Sequence, residues 1–162
     1  MNFIKAFKKF SDGIDKVCIA AAVVMIGIMV IVTIAQIICR EYFKALQWSE
    51  EVCRFLLVWA TFIGASCVYK EGTHITITFL QEKFSPEKQK LIQILVHIIC
   101  LVAFVAVVYF GFKFSLKQKQ LAPSLRIPMK YMYFSVPLGF GLMSLHAVNE
   151  ILQFIGQKRG NK

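Results

Sequence analysis

An all-α integral membrane protein of four transmembrane helices is the fold class this sequence predicts, and three observations predict it. Of 162 residues, 57% are hydrophobic and only 17% charged, a balance far greasier than that of an ordinary soluble domain. The apolar residues fall in four runs, Val17 to Cys39, Val52 to Tyr69, Leu91 to Phe112 and Tyr131 to Ile155. Each is close to the roughly 20 residues needed to cross a hydrocarbon core about 30 Å thick. The charges collect at the ends of these runs instead of on one face. The whole chain, 1–162, reads as a single membrane domain with no soluble module, repeat or low-complexity linker.

Before the first run, Phe3, Phe7, Phe10 and Ile14 recur at helical spacing while Lys5, Lys8, Lys9, Asp12 and Asp15 fall mostly elsewhere. That pattern describes an amphipathic helix over 1–15 lying in the membrane surface. The first span, about 17–39, is too long for the core of a cleaved leader and is not followed by a small-residue cleavage site, so it is expected to be retained. The second span is set at about 49–70. Ser49 suits its N-cap, and Glu50 and Glu51 in its first turn oppose the positive end of the helix dipole. Gly72 can end it. His74 to Leu80 then alternates polar and apolar, but a lone strand at a membrane has no partner for its backbone. The expectation is a short interfacial helix or an extended segment packed on protein. Ser85-Pro86-Glu87 is a helix start, placing the third span at about 88–114 with an early beginning. Pro123 and Pro128 forbid a regular helix between them, so Leu121 to Met129 reads as an extended ordered loop. Tyr131, Tyr133 and Phe134 form an interfacial aromatic belt at the head of the fourth span, 131–155.

The densest motif is Trp48 to Gly64, W-S-E-E-x-x-R-x-x-x-x-W-x-x-F-x-G. Arg54 follows Glu50 by four residues and Glu51 by three, so either carboxylate is expected to reach its guanidinium along the helix surface. An arginine costs roughly 2.5 to 3.5 kcal/mol at the bilayer centre, and acidic neighbours one to two turns inside the membrane make it tolerable. With Arg40 at the end of the first helix, this cluster is expected to tie helix ends together or to hold a partner subunit. Ala60 and Gly64 form a small-x-x-x-small pair that lets another backbone approach closely. Trp48, Phe55, Trp59 and Phe62 make an aromatic stripe suited to lipid contact or bundle packing.

The formal net charge of +10 does not point to nucleic acid, because the basic residues serve as topology signals and contacts to anionic phospholipid. With the N-terminus in the cytoplasm, and Arg54 set aside as part of a membrane run, eleven Lys and Arg lie on the inner side and seven on the outer side, which favours both termini inside. The third loop departs from that rule. It carries Lys113, Lys117, Lys119, Arg126 and Lys130 with no acid, and Lys117, Lys119 and Arg126 are candidates for docking an acidic partner protein.

A transport pathway for an acid would place polar groups or broken helices at mid-membrane. Here Thr33, Gln36, Gln93 and His97 are isolated and need only a neighbouring helix. Pro137 with Gly139 and Gly141 is suited to kink the fourth helix. His146, Asn149 and Glu150 share a face near its inner end and read as interfacial, toward a partner subunit or a lipid headgroup. Cys18, Cys39, Cys53, Cys67 and Cys100 lack C-x-x-C spacing and read as packing residues, against a thiol oxidoreductase and against a metal site. No catalytic constellation is visible, so no enzyme is expected. The alternative to be weighed is a haem-binding respiratory anchor with His97 and His146 as paired axial ligands.

The Trp48 to Gly64 motif, then Gly72 and His74, P-S-L-R-I-P at Pro123 to Pro128 and V-P-L-G-F at Val136 to Phe140 together resemble the small membrane subunit of tripartite ATP-independent periplasmic (TRAP) transporters, the DctQ type. The resemblance covers about Ile31 to Met143; Thr73 stands where family members often place a glycine beside the histidine. It implies a scaffold in a bacterial or archaeal cytoplasmic membrane that packs on the static part of a large DctM-type subunit. That subunit moves an organic acid by a sodium-coupled elevator motion, after delivery by a secreted DctP-type binding protein. Trp48, Glu50, Glu51, Arg54, Trp59, Ala60, Gly64, His74, Pro137 and Gly139, with Arg40, are then the expected structural and subunit-interface residues. No cofactor is implied in this chain, since sodium belongs to the large subunit.

Overall fold

The computed structural model describes residues 2–42, 44, 46–81 and 86–160, with side chains described outside 2–8, 72–91 and 153–160. Five helices follow one another: α1 (Asn2–Tyr42), α2 (Gln47–Gln81), α3 (Pro86–Lys117), a single turn α4 (Lys130–Tyr133) and α5 (Ser135–Gly160). Packing is most extensive between α3 and α5, α1 and α2, and α2 and α5. The order across the bundle is therefore α1, α2, α5, α3, a slab with α2 and α5 in the middle. One end carries the α3–α4 loop and the other, the terminal end, carries the start of α1 and the end of α5.

Three helical stretches among the described residues are long and apolar enough to cross a membrane: Lys9–Tyr42, Gln47–Glu71 and Ile92–Lys117. Where a fourth span is expected, α5 is a helix of 26 residues that is not among those three. Its composition falls short of those three because Ser135, His146, Asn149 and Glu150 interrupt its apolar run, all of them buried against the other helices.

Two boundaries differ from the sequence expectation. The amphipathic segment is not a separate helix, because α1 runs unbroken for 41 residues. Nothing between Ser11 and Val17 is a strong breaker, and Ser11, Asp12 and Asp15 are drawn onto the bundle by His146 and Lys70 instead of lying along a lipid surface. At Gly72 α2 does not stop either; it continues to Gln81 for 35 residues in all. The expected choice between a short separate helix and an extended segment is thus replaced by one long helix, a lone glycine costing a helix only about 1 kcal/mol relative to alanine. The side chain of His74 lies outside the described residues. Pro86 opens α3 as its spacing predicts. The segment expected as a fourth span divides at Phe134, three residues before Pro137, whose ring nitrogen has no hydrogen to donate back to Tyr133.

Little apolar surface is buried inside the slab. The hydrophobic side chains below the surface are few among the described residues, with Cys18, Ile63 and Cys67 as their centre and Ile14, Met25, Trp59 and Leu142 packed around it. Val23, Val24, Ile31, Val102, Val105 and Phe110 all face outward. Contact between the middle helices is a direct backbone approach. A Cβ added at Gly139 would stand 2.7 Å from both the Cβ and the carbonyl oxygen of Phe62. Around it the ring of Phe62 meets Phe140, centroids 6.0 Å apart, and Phe140 meets Phe104 at 5.6 Å. Tyr69 completes the column against Phe104 at 5.2 Å.

Gly139→Leu should therefore force α2 and α5 apart. A melting curve of the purified chain in detergent is expected to show a loss of about 1–3 kcal/mol, the usual cost of overpacking. An unchanged midpoint would contradict the close approach.

Candidate subunit site at the loop end

Near the start of α2, Glu51 does not pair with the arginine one turn on. Glu51 is 8% exposed, and its two carboxylate oxygens accept the backbone N–H of Ser124 at 2.9 Å and of Leu125 at 2.8 Å. These amides belong to the P-S-L-R-I-P loop. That loop folds back on itself, with Ala122 donating to the Ile127 carbonyl at 2.9 Å and Met129 to the Gln120 carbonyl at 2.9 Å. Arg126 donates to Ala122 at 2.9 Å and holds a left-handed φ of 52°, which closes the turn. The loop's own pairing leaves the amides of Ser124 and Leu125 to the carboxylate. An ionised acceptor makes both bonds stronger than neutral ones.

A second bond from α2 secures the short helix α4. Trp59 lies eight residues beyond Glu51, about 12 Å along the helix, and its indole N–H donates to the carbonyl of Tyr131 at 3.2 Å. The loop and α4 are thus held from one helix at two heights. Ser49 is fully buried but is not the N-cap. The helix begins two residues earlier at Gln47, and the Ser49 hydroxyl donates to the Leu46 carbonyl at 2.6 Å.

The held loop is basic on its outside. Lys113, Lys117, Lys119, Arg126 and Lys130 are all exposed, as are Pro123 and Ser124 between them. Trp48, Glu50, Arg54 and Arg40 are exposed as well. Among the described residues no ion pair joins Arg54 or Arg40 to Glu50 or Glu51, so the expected cluster divides into an inward part, Glu51, and an outward part. Ala60 and Gly64 divide from the expected backbone approach in the same way. A Cβ built on Gly64 meets nothing within 4 Å, and the close approach falls to Gly139. Pro137 is buried, its ring 3.4 Å from where a Cβ on Gly111 would stand.

The terminal end holds a second polar set. Lys70 on α2 reaches Asp12 at 2.7 Å and Asp15 at 3.2 Å on α1. Ser11 and the Nδ1 of His146 share a hydrogen bond of 2.8 Å. His146 and Asn149 are each 1% exposed and Glu150 4%, so this face of α5 is turned into the bundle and not toward a partner or headgroup. His97 is buried on α3, its Nδ1 2.7 Å from the Gln93 carbonyl one turn back and its ring near Tyr69. No group of three or more His, Cys, Asp or Glu suited to a metal occurs among the described residues. From the sequence Lys70 reads as a topology charge. The signal that points elsewhere is the pair Asp12 and Asp15, three apart on one face of a helix bound for lipid.

This fold and loop define a small helical membrane protein whose cavities, among the described residues, are lined mainly by apolar side chains. Residues 29–156 match the family described as "Tripartite ATP-independent periplasmic transporters, DctQ component", and the chain belongs to that family. A TRAP transporter small permease protein of Haemophilus influenzae is 22% identical over 150 residues, 91% of this chain and 93% of that protein. The sialic acid TRAP transporter small permease SiaQ of Vibrio cholerae is 28% identical over 110 residues, 67% of this chain and 63% of that one. The isethionate TRAP transporter permease DctMQ of Oleidesulfovibrio alaskensis is 24% identical over 116 residues. These make up 69% of this chain but only 18% of that much longer polypeptide.

Glu51→Ala should release the loop without unfolding the bundle. Charge-assisted bonds contribute about 1.5–3 kcal/mol each, so hydrogen exchange at the amides of Ser124 and Leu125 is expected to accelerate about ten- to hundredfold. Protection of the Trp59 to Cys67 helix should be unchanged. Equal exchange in both proteins would show that the carboxylate does not hold the loop.

Proposed function

We propose that this chain is the small, static subunit of a sodium-coupled TRAP transporter that imports an organic acid, of the sialic acid, C4-dicarboxylate or similar carboxylate class. A periplasmic binding protein delivers the solute, and a large DctM-type subunit carries it across. The chain crosses the cytoplasmic membrane four times, with both termini in the cytoplasm and the basic loop in the periplasm. It transports nothing itself. It broadens and steadies the scaffold of the large subunit and offers part of the landing surface for the loaded binding protein.

The observation that carries this reading is the match over residues 29–156 to a family of transporter components. The physical character of the chain supports it. At the terminal end Lys70 pairs with Asp12 and Asp15 and Ser11 with His146, and the outer faces of α1 and α3 are left largely to aliphatic side chains. A slab that buries so little of its own apolar surface is suited to lie against a larger membrane body. The long DctMQ relative supports the choice of partner, since it holds a region similar to this chain within one much larger permease polypeptide.

The docking role rests on the latched loop. Lysines and an arginine on a fixed turn present a stable positive potential, which steers an acidic protein and speeds encounter. Neutralising Lys117, Lys119 and Arg126 together is expected to raise the binding-protein concentration for half-maximal uptake severalfold in proteoliposomes holding both membrane subunits. The effect should shrink as salt is added, because the Debye length falls from about 30 Å at 0.01 M to about 8 Å at physiological ionic strength. Uptake curves that coincide at low ionic strength would remove the loop from docking.

A further inference from the structure

Beyond Gln47 and Trp48 at its start, the exposed residues described on α2 form one continuous face: Glu50, Arg54, Leu57, Thr61, Val68 and Glu71, with the open side of Gly64 between Thr61 and Val68. From Glu50 to Glu71 the face extends about 31 Å at 1.5 Å per residue, the thickness of a hydrocarbon core. Where the outer face of α3 carries Val102, Val105 and Phe110, this face carries a threonine and a glycine at mid-height, as α1 does at Gly27 and Thr33, and it adds the outward guanidinium of Arg54. The Thr61 hydroxyl is already turned back to the Leu57 carbonyl at 2.7 Å. A groove of ≈ 260 Å³ beside it, lined by Met25, Met29, Leu57 and Ala60 among others, deepens the same side.

On this face we propose that α2 seats a transmembrane helix of the large permease subunit. That helix would carry a small residue opposite Gly64 and a carboxylate level with Arg54. The inference rests on the assignment of a large-subunit partner above, and adds which surface meets it. Two physical arguments select a helix over lipid. Helices gain no hydrophobic drive for association inside a bilayer, so close approach over small residues is what stabilises their contact. Gly64 and Thr61 permit it, while acyl chains gain nothing from a glycine. Arg54 sits about 10 Å from the start of α2 and makes no ion pair with Glu50 or Glu51, and an outward guanidinium at that depth is stabilised by an opposite charge on a neighbour. The much longer DctMQ relative, with its region similar to this chain, makes a large permease the natural source of that neighbour.

The test uses the co-expressed complex, with the affinity tag on the large subunit and the amount of this chain co-purified as readout. Because a Cβ at Gly64 meets nothing within 4 Å among the described residues, Gly64→Leu should leave the melting midpoint of the isolated small subunit unchanged or raised. In the complex it should cut recovery at least tenfold. Arg54→Glu should also reduce recovery, and Val102→Leu on the outer face of α3 should not. Wild-type recovery with both Gly64→Leu and Arg54→Glu would overturn the proposal and leave the face to lipid. Failure of the unmodified chain to co-purify with the large subunit would instead overturn the functional assignment on which it rests.

Discussion

Inside a bilayer the hydrocarbon around a helix is as apolar as the helix, so the bundle must be held by something other than the hydrophobic effect. This chain meets that constraint with polar bonds at its two ends and a single close backbone approach between them. At one end Glu51 holds two amides of the α3–α4 loop and Trp59 holds the carbonyl of Tyr131. At the other, Lys70 gathers Asp12 and Asp15 while Ser11 meets His146. Between the two ends, Gly139 lets α5 touch the backbone of α2 at Phe62, and four aromatic rings close around the contact.

α2 is common to all of these contacts except the bond between Ser11 and His146 and the ring pair of Phe104 and Phe140. It supplies Glu51 and Trp59 toward the loop, Phe62 toward α5 and Lys70 toward α1, all from its inward faces. The remaining face is open along the thickness of a membrane. The same helix can therefore organise its own subunit and offer a surface to another without conflict. In the proposed complex, the loop and the partner face would be fixed relative to each other because one rigid helix carries both.

The sequence disclosed most of the architecture and the family, and less of the contacts. Apolar runs are read from composition and length, so the helices, the early start at Pro86 and the absence of a regular helix between Pro123 and Pro128 were all legible, whereas the extended course expected for Leu121 to Met129 is a turn that folds back on itself. Helix ends were not. Gly72 and the Ser11 to Val17 region carry only weak breakers, and tertiary contacts such as Lys70 with Asp12 and Asp15 stabilise the helix through the latter. Glu51 illustrates the general difficulty. Its spacing from Arg54 is a genuine short-range signal, but the amides of Ser124 and Leu125, 73 and 74 residues away, are the partners it takes, and no periodicity reveals them. His146, Asn149 and Glu150 were seen to share a face, but the direction of that face depends on where α1 lies.

The central claim is that this chain supports transport without providing a route. Counting radiolabelled carboxylate inside sealed vesicles under a sodium gradient, with loaded binding protein outside, tests it directly. Vesicles holding both membrane subunits should accumulate the solute, and vesicles holding this chain alone should stay at background. Uphill accumulation by this chain alone would contradict the claim.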